Sequence, residues 1–179
     1  MKNSTKVIGL DLSLVGTGKV TIDTKNYDIK CELIKSSPCE KLPLAELKRL
    51  CGITNKIGLC SSELVVIEGL SYSMRNTTSL LQLAGLNYFV RQNLFLNKIP
   101  FVIVAPTTLK KFITGKGNSK KDVMLLETYK RYKKSFDNDN LCDAYGLAQI
   151  GLAILGKNEN KLISIQDEVV NLLKPQLIN

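Results

Sequence analysis

The sequence contains no histidine. That absence removes the Ser-His and Cys-His nucleophile systems and the His-rich zinc sites, and it leaves carboxylate-bound Mg²⁺ or Mn²⁺ as the most available catalytic chemistry. Long hydrophobic runs are missing as well. No stretch approaches the roughly 20 residues of a transmembrane helix, and the opening MKNSTKVIGL reaches an acid at Asp11 before a signal-peptide core can form. Five cysteines, Cys31, Cys39, Cys51, Cys60 and Cys142, are an odd number without a CxxC pair. This pattern fits reduced, packed thiols in a cytoplasmic protein better than a disulfide framework. There is no internal repeat and no low-complexity tract.

What is present is enough for one buried core. A chain of 179 residues with 44% hydrophobic content suits a single domain, here read as residues 1–157, with residues 158–179 as an appendage carrying a short helix. The net charge of +9 is unevenly spread. Between Lys110 and Lys134 nine basic residues stand against Asp122 and Glu127, so that segment alone carries +7. A solvated helix face explains a lone KRYKK, but the whole block, with a glycine-rich turn inside it, is better matched to a polyanion such as nucleic acid.

Periodicity places the elements. Residues 5–12 read as a buried strand, which Gly16 and Gly18 turn into a second strand at VTIDT, and a third runs from Tyr27 to Ile34. Pro43 opens a helical pattern of Leu44, Leu47, Leu50, Ile53 and Ile57 that Gly58 ends. LVVIE at 64–68 is a short apolar strand, so a crossover unit brings it parallel to a neighbour. A leucine-rich helix over 78–97, a strand over 100–106 and helices over 107–113, 119–134 and 139–155 complete the domain. The order predicts an α/β fold: a central mixed five-stranded sheet, three antiparallel strands followed by parallel ones, flanked by helices.

Three acids stand where apolar runs begin or end: Asp11 in KVIGLDLS, Glu68 in LVVIEGL and Asp143 in DNLCDAYGLA. A carboxylate at the end of a buried strand is costly unless it is paired or holds a metal, so three of them predict one converging site. An ordinary cap or surface carboxylate explains any one alone; it explains the set poorly.

At this point the chain resembles the RuvC-type Holliday junction resolvases of the RNase H-like superfamily. GLDLSLVGTG is similar to the family's first motif, and VVIEGLSYSMRNTTSL to the second. APTTLKKFITGKGNSKKDV resembles the lysine and threonine-glycine segment, and DNLCDAYGLA the final aspartate-alanine helix. The four occur in the family's order over residues 6–156. The resemblance implies an RNase H-like fold and a Mg²⁺-dependent endonuclease, with Mn²⁺ as substitute, that nicks four-way junctions in symmetric pairs as a homodimer. It implies two Mg²⁺ ions bridged by Asp11, with Glu68 on one and Asp143 on the other. Lys110 and Lys120 match the lysines expected near the scissile phosphate, and Lys111, Lys116 and Lys121 are expected along the DNA backbone. Tyr72 takes the place of the aromatic residue that stacks on unpaired bases, with core packing as the other reading, and Arg75 and Asn76 are expected DNA contacts. The helix at 78–97 is the expected dimer face.

One departure concerns the fourth acid. The family's second acid on the last helix stands three residues before the final one, and that position is Asn140 here; Asp139 precedes it by one. Offsets of three and four residues both lie near one helix face. Asp139 is the favoured metal ligand, with the Asn140 carbonyl oxygen as the alternative. The asparagine and the appended tail would suit a phage or prophage member. Other classes left open are an RNase H-type nuclease on another substrate, a non-cleaving junction-binding protein, and an actin-like nucleotide-binding domain.

Overall fold

The computed structural model describes residues 5–38, 40, 42–59, 62–70 and 77–178. Its sheet is built from β1 (Lys6–Asp11), β2 (Gly16–Asp23), β3 (Ile29–Lys35), β4 (Leu64–Glu68) and β5 (Phe101–Val104), in the order β3-β2-β1-β4-β5. The β1/β2 and β2/β3 pairs are antiparallel, and β1/β4 and β4/β5 are parallel, as the sequence predicts. Among the described residues six α-helices flank it: α1 (Pro43–Ile57), α2 (Thr77–Leu96), α3 (Pro106–Thr114), α4 (Lys121–Tyr132), α5 (Asp139–Ile154) and α6 (Ser164–Leu173).

Alternation along the inner strands divides the core into two layers, because successive side chains leave a strand on opposite faces. Ile8, Leu10, Val65 and Ile67 pack against Leu50, Ile53 and Ile57 of α1 and Leu86, Val90 and Leu94 of α2. On the other face, Leu64, Val66, Val102 and Val104 meet Leu109 and Phe112 of α3 and Leu147 and Ile150 of α5. Val7 and Val20 meet Ala144, Tyr145 and Ala148 on the same side. The parity continues to the strand ends. Asp11 and Glu68 are therefore in phase with Val7 and Val66, on the face that α5 covers.

Helix α5 lies close to β1 and β2 because two glycines make room for it. A Cβ at Gly9 would sit 2.0 Å from the Ala144 carbonyl oxygen, and one at Gly18 would sit 2.1 Å from that of Asn140. This corrects the reading of Gly16 and Gly18 as the turn between the first two strands. Both belong to β2, and neither has positive φ. The bend instead occupies 12–15, where Ser13 Oγ accepts from the Val15 and Gly16 amides at 3.3 Å and the Thr17 hydroxyl donates to the Ser13 carbonyl at 2.9 Å. Side-chain bonds of this kind let a turn form without glycine.

Pro43 and Pro106 stand at the starts of α1 and α3, where a missing amide donor costs nothing. Gly58 and Gly115 end those helices with φ of 56° and 84°, a conformation glycine adopts without strain. The segment after α5 joins the core. Val169, Val170 and Leu173 of α6 pack with Leu109, Phe112 and Ile113 of α3. Ile178 pairs antiparallel with Phe101, which covers part of the otherwise open β5 edge. No helix among the described residues is long and apolar enough to cross a membrane.

Candidate active site

The β1/β4 register pairs Leu10 with Ile67, so Asp11 and Glu68 come next at the ends of neighbouring parallel strands. Helix α5 begins across these ends. Asn138 caps it, its side-chain oxygen accepting from the Leu141 amide at 3.2 Å, and the first two turns carry Asp139 and Asp143. Acidic residues are favoured there by the partial positive charge of a helix N-terminus. Lys110 from α3 and Lys121 at the start of α4 complete a cavity of about 200 Å³ that Glu68, Asp139 and Asp143 also line.

The electrostatics are those of crowded anions. Asp11 is only 8% exposed. Burial, the charge of Glu68 and a hydrogen bond with it, and the charge of Asp143 push the Asp11 carboxyl up to about 9. Burial and Glu68 hold Asp143 at about 7, with Lys121 and Lys110 opposing. Glu68 is raised by burial, against the lowering effects of the Asp11 hydrogen bond, Lys110 and Lys121. Lys121 Nζ donates to Asp139 Oδ2 at 2.8 Å. That pair is largely solvated, so it adds little stability. Its effect is to place one cation beside the acids.

The sequence-derived residues do not all gather here. Asn140 lies outside the cavity: its side-chain amide donates to the Gly16 carbonyl and ties α5 to β2. Lys120 is exposed at the N-cap of α4, and its neighbour Lys121 is the one that faces the acids. Lys111 pairs with Glu168 of α6 at 2.9 Å, and Lys116 is exposed in the turn after α3. Tyr72, Arg75 and Asn76 lie outside the described residues. Asn87, which the sequence reading passed over, is buried and lines the cavity. Its signal was available as a carboxamide interrupting the apolar run LAGLNYFV.

Among the described residues no three Asp, Glu, Cys or His side chains form a ready-made cage around one ion. The acids come as pairs: Asp11 with Glu68, and Asp139 one turn before Asp143. The donor set nonetheless fits a hard divalent cation such as Mg²⁺ or Mn²⁺, being anionic oxygen throughout. Carboxylates that hold protons against one another are also those a cation would let ionise.

Comparison with known proteins bears on the fold. No family model and no curated protein matches the sequence. Among solved structures, Thermus thermophilus RuvC in complex with a Holliday junction substrate superposes with a TM-score of 0.64 at 18% identity, over 86% of this chain and 97% of that one. This chain has the RNase H-like fold of RuvC. A second Thermus thermophilus RuvC structure gives 0.59 at 19% identity, over 85% and 97% of the two chains. The yeast mitochondrial Holliday junction resolvase Ydc2 gives 0.56 at 14% identity, over 81% and 76%. The RuvC-like core thus takes in most of the chain, and the acids stand at strand ends and helix start within it.

Proposed function

We propose that this protein is a Mg²⁺-dependent endonuclease that resolves four-way DNA junctions by paired nicks. One observation carries the reading: carboxylates from β1, β4 and α5 converge with Lys110 and Lys121 at one edge of a RuvC-like sheet. Solved proteins with this fold include a RuvC bound to a Holliday junction and a mitochondrial Holliday junction resolvase.

Asp11, Glu68, Asp139 and Asp143 would hold the metal. When bound there, divalent cations supply Lewis-acid stabilisation of the charge that develops on the phosphodiester. Lys110 and Lys121 add positive charge beside the acids in the same cavity, where it would hold and stabilise a scissile phosphate. Lys116, Lys120 and the rest of the basic block extend that attraction along the backbone. Helix α2 exposes Leu81, Tyr88, Phe95 and Leu96. Such an apolar surface suits the dimer contact that a near two-fold junction calls for.

The direct test is nicking of a labelled immobile four-way junction, with linear duplex as competitor, in Mg²⁺ and in EDTA. Paired cuts near the crossover in Mg²⁺ alone are expected, from a protein whose solution mass is that of a dimer. Tight junction binding without cuts in Mg²⁺ or Mn²⁺ would leave a binding protein instead.

The fourth ligand has its own test. Asp139→Asn is expected to slow Mg²⁺-dependent nicking by about 10- to 100-fold, with the loss partly recovered at higher Mg²⁺. Asn140→Ala is expected to keep the nicking rate and to lower stability to urea by about 1 kcal/mol, through the lost bond to Gly16. If the two phenotypes are exchanged, Asn140 and not Asp139 serves the metal.

A further inference from the structure

Asn87 is 1% exposed on the inner side of α2. Its Nδ2 donates to the main-chain carbonyl of Glu68 at 3.4 Å. A carbonyl only accepts, so this contact fixes which way the carboxamide is turned and leaves Oδ1 as its remaining polar atom. That oxygen is buried, and no donor among the described residues reaches it. An orphaned buried acceptor is costly, because it has given up its water and gained no donor in exchange. Leucine or alanine would fill the same place in α2 without that cost. The residue also lines the cavity shared by Glu68, Lys110, Lys121, Asp139 and Asp143.

We propose that Asn87 is a positioning residue for the divalent cation of this site: Nδ2 holds the Glu68 main chain, and Oδ1 accepts a hydrogen bond from the cation's water shell. The inference rests on the metal-dependent nuclease reading. A carboxamide is suited to the place because it adds an oxygen acceptor without adding another negative charge to acids that already repel one another. Partners that orient a ligand in this way commonly change metal affinity 10- to 100-fold when removed.

The experiment is a Mn²⁺ titration followed by thermal unfolding, on the full chain, for wild type, Asn87→Leu and Asn87→Ala. Both variants are expected to need about tenfold more Mn²⁺, or greater, for the half-maximal rise in Tm, while their junction binding in EDTA stays at the wild-type level. If the Leu variant does not fold, the Ala variant reads the same quantity. Variants that melt lower in EDTA yet respond to Mn²⁺ at the wild-type concentration overturn the inference, making Asn87 a structural peg on β4. A wild type with no response to Mn²⁺ removes the metal-dependent reading itself, and the inference with it.

Discussion

Asp11→Asn is expected to melt at a higher temperature than the wild type in EDTA at pH 7, and to lose Mg²⁺-dependent junction cutting by about a thousandfold or more. The stability gain follows from proton linkage. In the folded chain burial and the adjacent Glu68 and Asp143 hold the Asp11 carboxyl at about 9, against an ordinary value of 3.8. A folded-state value above the unfolded one means that the native state binds more protons throughout that interval, so stability falls as pH rises from about 4 to about 9. At pH 7 this contribution is on the order of a few kcal/mol, or several degrees in Tm for a chain of this size. Asparagine keeps the shape and has no proton to hold. The wild type in EDTA should therefore melt progressively lower from pH 5 to pH 9, and Mg²⁺ should flatten that slope by letting the carboxylates ionise. Junction binding, which the proposed function assigns to the basic block, should survive the substitution. A variant that melts lower than wild type in EDTA, with no change in pH slope, would show that Asp11 is not a strained carboxylate.

Gly9→Ala is expected to destabilise the protein by about 3 kcal/mol or more, because the added carbon has nowhere to go. Its Cβ would lie 2.0 Å from the Ala144 oxygen and 2.6 Å from the Ala148 nitrogen. These are main-chain atoms of α5, so no side chain can rotate aside and the helix as a whole must lift from β1. Asp143 adjoins Ala144 and would lift with it. The surviving folded fraction should therefore bind Mn²⁺ more weakly than wild type and nick junctions more slowly. Gly52→Ala is the matched control. Nothing lies within 4 Å of its added Cβ on α1, and alanine's higher helix propensity should stabilise the protein by up to about 1 kcal/mol. Urea unfolding of the two variants reads the comparison. A Gly9→Ala midpoint equal to wild type would mean that α5 is not seated at this distance from the sheet.

Much of the fold was legible because its signals are local. The continuous apolar runs in KVIGLD and LVVIE identify strands buried on both faces, and an acid ends each run. The spacing from Leu50 to Ile57 identifies α1, and Pro43 and Gly58 mark its ends. Gly16 and Gly18 were misread for a physical reason. Glycine near a strand end signals a turn as readily as it signals a close neighbour, and the neighbour of Gly18 is Asn140, far along the chain. The tail was legible as a helix, but which of its apolar residues are buried was not: Val170 is buried, whereas Leu172, two residues on, is exposed.

The sequence by itself determined that acids would stand at the ends of two buried strands and near the start of the last helix of the core, because strand parity and helix starts are written in short-range patterns. Which of two adjacent residues lines the cavity was decided only by the tertiary structure. Asp139 and Asn140, like Lys120 and Lys121, are single steps apart in sequence. One step on a helix turns a side chain by about 100°, so the seating of α5 over Gly9 and Gly18 decides that Asp139 lines the cavity while Asn140 holds Gly16. The start of α4 likewise turns Lys121 and not Lys120 toward the acids. Asn87 belongs to this second class as well, since its neighbour Glu68 reaches it only when α2 packs back across the sheet.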